Sequence, residues 1–128
     1  VADADTAVVI LSEPPYAEWY GDVASINTLP AEDFARLSEA RAAGKPVVAI
    51  IVSGRPVLIT AELANADAWI AAWLPGTEGS GVAEVLFGDY NFTGTLSHSW
   101  PETEEQVTVN KDDPGYAPLF AFGHGLTY

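Results

Sequence analysis

Pro46-Val47-Val48-Ala49-Ile50-Ile51-Val52-Ser53 is apolar and β-branched almost from end to end. Branched side chains have few χ1 options and fit the pleated surface of a strand. The run does not alternate with polar residues, so the strand is expected to be covered on both faces, as in the middle of a parallel sheet. Gly54-Arg55-Pro56 ends it in a turn. Residues 6–12 (TAVVILS) form a second unbroken apolar run, stopped by Glu13-Pro14-Pro15, and are also read as a strand covered on both faces. Residues 68–74 (AWIAAWL) read as a third strand, although an alanine-rich run also suits a helix.

The segments between the strands supply helices. Pro30-Ala31-Glu32-Asp33 opens one: proline suits a first turn and the acidic pair complements the positive helix end. Phe34, Leu37 and Ala40 fall on one stripe, and Gly44 is a helix stop. Residues 57–63 fit a short extended piece or a helical turn equally well. The glycine-rich loop at 75–81 leads into a short helix at 82–87, with Val82, Val85 and Leu86 on one face. Strand, helix, strand and helix of these lengths imply right-handed crossovers. The fold class is α/β, a mostly parallel sheet with helices on both faces in a three-layer α/β/α sandwich. Beyond Tyr90 the pattern changes. Residues 91–96 read as a turn into an edge strand ending at Trp100-Pro101, residues 102–115 as a surface loop, and residues 118–123 as an aromatic tail that must pack.

At 128 residues the chain suits one domain with a real core. Its net charge is -13, from 18 acidic against five basic residues. Nucleic acid and anionic membrane surfaces both require clustered Lys and Arg, so neither is an expected partner. The apolar runs are too short to span a bilayer. Without cysteine there is no disulfide, thiolate metal site or Cys nucleophile. The acidity suits a secreted or salt-adapted protein. The chain starts at Val1 and has no Met, so it is expected to be a piece of a longer protein.

Several chemistries fail on spacing. The loop at 76–81 lacks the ending of a P-loop and the spacing of a dinucleotide fingerprint, so a tight strand-to-helix turn is the better reading. His98 and His124 are in no metal-binding spacing, and no metal or cofactor is expected. Ser53 and Ser80 are outside any nucleophile elbow. Asn91-Phe92-Thr93 is a glycosylation sequon of a kind common by chance. Carboxylates are the only reactive groups in quantity. Ser12 to Asp22 reads SEPPYAEWYGD: three carboxylates, two stiffening prolines and three aromatic side chains just past a strand end. Open α/β sheets bind ligands at the carboxyl ends of their strands. Glu18 is the best single candidate for an acid/base, with Tyr16, Trp19 and Tyr20 as a possible sugar-stacking wall. Spacing selects no partner carboxylate for it.

An ordered set of motifs now carries a resemblance. The set starts with Pro15-Tyr16-Ala17-Glu18 and Gly21-Asp22, then Lys45-Pro46-Val47-Val48 and Val52-Ser53-Gly54-Arg55-Pro56. It continues with Ala71-Ala72-Trp73-Leu74-Pro75-Gly76-Thr77-Glu78-Gly79 and Val85-Leu86-Phe87-Gly88-Asp89-Tyr90-Asn91-Phe92-Thr93-Gly94. It ends with Trp100-Pro101, Pro118-Leu119-Phe120 and Phe122-Gly123-His124-Gly125-Leu126-Thr127-Tyr128. In this order they resemble the C-terminal α/β sandwich domain of glycoside hydrolase family 3, the β-glucosidases and exo-β-glucanases.

The resemblance implies a retaining, exo-acting enzyme that removes terminal β-D-glucosyl residues. It implies that residues 1–128 are the C-terminal part of the sandwich, incomplete on its N-terminal side. It also implies an N-terminal barrel domain, absent here, that supplies an Asp nucleophile. Glu18 matches the acid/base of the family's Pro-Tyr-x-Glu loop. On this reading Glu13 and Asp22 are structural anchors, Trp19 and Tyr20 pack between domains, and His124, where Tyr is common, is a packing change. The implied substrate is a β-glucoside or β-glucan oligosaccharide and the implied location is periplasmic or secreted. Alone, the chain is expected to be inactive and to self-associate. The other reading is a non-catalytic α/β carbohydrate-binding or structural module.

Overall fold

The structure, a computed structural model, describes residues 3–128, with the backbone alone described at Glu18. The chain divides into two compact units, one ending at Leu74 and one beginning at Pro75.

The first unit holds three strands, β1 (Ala7–Ser12), β2 (Val47–Val52) and β3 (Ala68–Trp73), and one helix, α1 (Ala31–Ala42). The strands run parallel in the order β1-β2-β3. The β-branched run is thus the central strand, with Val47, Ala49, Ile50 and Ile51 all buried. At β1 the expectation of cover on both faces needs correction. Ala7 and Leu11 are buried, whereas Val8 and Ile10 are 47% and 57% exposed. Successive side chains point to opposite faces, so β1 has one covered face and one open face. Among the described residues β1 pairs with β2 alone, and α1 is the helix that packs on it.

The helix begins after Pro30, as its sequence requires, and Gly44 follows its end with φ 70°. A left-handed backbone there carries no Cβ penalty for glycine. Leu37 and Ala40 turn inward, and α1 packs on β1 and β2. Burying Leu37 completely contributes roughly 2–3 kcal/mol. Asp33 does more than complement the helix dipole. It is buried, accepts the Ser12 N–H at 2.9 Å and pairs with Arg36 at 2.9 Å, so the start of α1 holds the end of β1. Residues 57–63 divide between the two readings. Val57 and Ile59 are buried in an irregular segment, and a 3-10 helix follows at Thr60–Asn65.

In the second unit α2 spans Gly79–Leu86, starting three residues earlier than the glycines suggest. Gly88, φ 84°, follows its end. The Tyr128 hydroxyl lies 2.8 and 2.9 Å from the carbonyl oxygens of Val85 and Leu86 in the last turn of that helix. No strand forms at 91–100. A single antiparallel bridge joins Trp100 to Phe120 instead. The next bonded pair of that ladder would be 102 and 118, but Pro118 has no N–H and the Glu102 N–H is given to Gln106 Oε1 at 2.8 Å. No helix among the described residues is long and apolar enough to cross a membrane.

One carboxylate ties the other end of the sheet. Asp67 accepts the Val47 N–H at 2.8 Å, and Arg41 Nη1 lies 3.0 Å from both of its oxygens. The Val47 N–H foremost, then Arg41, holds its pKa below the ordinary carboxylate value. In that case the unfolded chain binds the proton more readily than the folded one. The stabilisation is therefore present above the unfolded pKa and is lost as pH falls through the lower folded value. Asp67→Asn is expected to lower the melting temperature at neutral pH, with the gap from wild type closing as pH falls below the carboxylate range. A gap that stays constant in a pH series of thermal melts contradicts this.

Candidate active site

Parallel strands bring their carboxyl ends to one edge of the sheet, so Glu13, the turn at 53–55 and Leu74 come together there. Glu13 is the centre of this region. Its side chain is only 3% exposed and carries a dense set of bonds. Oε1 accepts the Thr28 hydroxyl at 2.5 Å and Arg55 Nε at 3.0 Å, and Oε2 accepts the Gly54 N–H at 3.2 Å. A carboxylate so buried requires this pairing.

Arg55 leads outward from that anion. Its backbone is pinned because buried Ser53 Oγ donates to the Arg55 carbonyl at 2.6 Å. Its Nη1 donates to the Gly21 carbonyl at 2.6 Å, and its guanidinium lies 4.4 Å from the centre of the Tyr16 ring. Cations favour that ring face. Tyr16 is therefore built into the support of the loop while remaining 39% exposed. Its ring would lie 2.8 Å from a Cβ on Gly21, and its hydroxyl would overlap a Cβ on Gly54. Both positions need glycine because the ring passes so close.

Glu18 opens a one-turn 3-10 helix, Glu18–Gly21, in the loop after β1. Its side chain lies outside the described residues. The turn is closed by backbone bonds, Tyr20 N–H to the Ala17 carbonyl at 3.2 Å and Asp22 N–H to the Trp19 carbonyl at 3.1 Å. Asp22 contributes its backbone to the turn. Trp19 and Tyr20 are 74% and 77% exposed, with ring centres 6.5 Å apart. Beside them lies an open concavity of about 600 Å³, lined among others by Glu13, Pro15, Tyr16, Tyr20, Thr28 and Arg55.

The other candidates lie elsewhere in the chain. Glu78 occupies the N-cap of α2, placing an acidic residue where a phosphate would have to sit. His98 Nδ1 lies 3.0 Å from Ser97 Oγ, and His124 stacks on Phe120 with ring centres 5.0 Å apart. Among the described residues no three His, Asp or Glu side chains form a group that could hold a metal ion.

Residues 1–128 match the family model of the glycosyl hydrolase family 3 C-terminal domain. The chain belongs to this family. It is 32% identical over 147 residues to a periplasmic beta-glucosidase of Salmonella typhimurium, covering 98% of this chain and 19% of that protein. It is 35% identical over 132 residues to a lysosomal beta glucosidase of Dictyostelium discoideum, covering 98% of this chain and 16% of the other. Among solved structures, the exo-1,3/1,4-beta-glucanase of a Pseudoalteromonas species superposes with a TM-score of 0.88 at 46% identity, covering 96% of this chain and 16% of that one. The chain thus spans less than a fifth of the length of these relatives. The likeness extends to the α/β sandwich class, and the parallel sheet with α1 packed on it belongs to that class.

Thr28 and Arg55 are the site residues that sequence reasoning misses. In the sequence Arg55 reads only as part of a turn. The available signal is one cation placed between a glycine and a proline in a chain with five basic residues.

Two outcomes follow from the packing. Glu13→Ala is expected to destabilise the protein by about 3–5 kcal/mol in denaturant unfolding, since it strands a largely buried guanidinium. A loss below about 1 kcal/mol would contradict the role given to the pair. Gly54→Ala is expected to destabilise, and Tyr16→Phe in the same chain to recover part of the loss by removing the overlapping hydroxyl. A double variant no more stable than Gly54→Ala alone contradicts the contact.

Proposed function

We propose that this chain supplies the acid/base to a retaining, exo-acting β-glucosidase or exo-β-glucanase, and that Glu18 is that group. One observation carries the reading. Glu18 begins a turn at the carboxyl end of a parallel strand, between Tyr16 and Gly21, both of which Arg55 contacts. The names of the relatives support the substrate class: beta-glucosidases and an exo-1,3/1,4-beta-glucanase. The substrate is a terminal β-D-glucosyl residue of a glucoside or β-glucan oligosaccharide.

The chemistry requires two carboxyl groups about 5–5.5 Å apart. In the first step the nucleophile attacks the anomeric carbon and the bond to the glycosidic oxygen breaks, while Glu18 gives its proton to that departing oxygen. In the second step Glu18 takes a proton from water, whose oxygen displaces the enzyme carboxylate at the anomeric carbon. The nucleophile comes from a further domain of the full-length protein, a barrel in the proposed arrangement. This chain alone therefore does not turn over glycosides. The full-length protein acts outside the cytoplasm, a reading supported by the relative named as periplasmic.

Glu18→Ala in the full-length protein is expected to slow hydrolysis of substrates with poor leaving groups by about 10²–10⁴-fold. Azide, which attacks without needing a base, is expected to restore part of the rate on activated glycosides and to yield a β-glycosyl azide. Unchanged hydrolysis of poor leaving groups removes Glu18 from the role. The isolated chain is expected to show no turnover of nitrophenyl β-glucoside, and measurable turnover would contradict the division of labour between domains.

A further inference from the structure

The geometry points to Arg55 as the positioning residue of the acid/base, an inference that rests on the role given to Glu18. Three observations converge. Among the described residues, the Glu18–Gly21 turn is attached on both sides of Glu18: through the Tyr16 ring two residues before it and the Gly21 carbonyl three residues after it. Arg55 meets both, the ring through its face at 4.4 Å and the carbonyl through Nη1 at 2.6 Å. The same guanidinium is fixed from behind by Glu13, through Nε at 3.0 Å. A planar guanidinium with donors in a rigid fork can span an anion and a carbonyl while presenting its face to a ring. A lysine ammonium can neutralise Glu13 but lacks the plane and the fork.

The turn itself is weakly built. It is one turn of 3-10 helix with exposed aromatic side chains at Trp19 and Tyr20, and no side chain caps its start. Its position is therefore set from outside, by a cation held on a buried carboxylate at the strand ends. Arg55 touches no reacting atom. It acts through the placement of Glu18. A displacement of about 1 Å in a catalytic group is enough to cost on the order of 10²-fold in rate.

The test uses the full-length protein and two substrates. One has a leaving group that needs protonation, such as cellobiose, and the other does not, such as 2,4-dinitrophenyl β-glucoside. Arg55→Lys keeps a cation beside Glu13 and so separates positioning from stability. It is expected to lower kcat/KM for cellobiose by about 10–100-fold while leaving kcat/KM for the dinitrophenyl substrate within about threefold of wild type. In a Glu18→Ala background, Arg55→Lys is expected to add less than about a twofold further loss, because the group it positions is gone. Glu13→Gln with Arg55→Met removes both charges together and is expected to reproduce the same substrate split.

Equal losses on both substrates, or none on either, overturn the proposal while the role of Glu18 stands. So does a full additional loss in the Glu18→Ala background. If Glu18→Ala itself shows no dependence on the leaving group, both the role of Glu18 and the positioning role of Arg55 fall.

Discussion

A carboxylate that is 3% exposed must find partners for its lone pairs inside the protein, and Glu13 finds them on two other segments. Thr28 comes from the long loop before α1, and Gly54 and Arg55 from the turn after β2. Each bond brings a segment to the end of β1, and the site region takes its shape from that convergence. Burying such a charge is costly unless it is paired and fully hydrogen-bonded. The pairing therefore tolerates little rearrangement, and Arg55 inherits a fixed position from it. Tyr16 and the carbonyl of Gly21 are arranged around Arg55 in turn.

The sheet makes this convergence possible. Parallel strands deliver three chain segments to one edge, and crossovers return the chain so that loops collect there. Two other carboxylates secure the frame. Asp33 fastens the end of β1 to the first turn of α1, and Asp67 fastens the start of β2 to the entry of β3 and to Arg41. Three acidic groups in an acidic chain thus work as backbone acceptors. Their negative charge is matched locally by Arg36, Arg41 and Arg55, three of its five basic residues.

Much of this is legible in the sequence, for identifiable reasons. The β-branched run at 47–52 has few conformational options, and its apolar continuity marks the central strand. Pro30 and Gly44 bracket α1 because their backbone preferences suit helix ends. The motif that includes Glu18 opens the ordered set that carries the family resemblance across nearly the whole chain. What cannot be read there depends on approach in three dimensions. Val8 and Ile10 look like core residues in a list of hydrophobic side chains, and their exposure follows from lying on the face of β1 opposite buried Ala7 and Leu11. The segment at 91–100 has strand-like composition, but Pro118, opposite residue 102, has no N–H with which to carry its ladder past a single bridge. Arg55 is separated from Gly21 by 34 positions, and nothing at either position announces their bond. Tyr16 reads as part of a sugar-stacking wall in the sequence, and its close approach to two glycines and a guanidinium is visible only in the structure.

The most direct test of this account is a crystal structure of the full-length protein with a sulfur-linked, non-hydrolysable β-glucoside analogue bound. The account predicts the Glu18 carboxyl within hydrogen-bonding reach of the bridging sulfur and about 5–5.5 Å from the carboxylate of the nucleophile. It also predicts Arg55 still joining Glu13 to the Gly21 carbonyl. Another carboxylic acid at the bridging atom, with Glu18 turned away from the sugar, would contradict it.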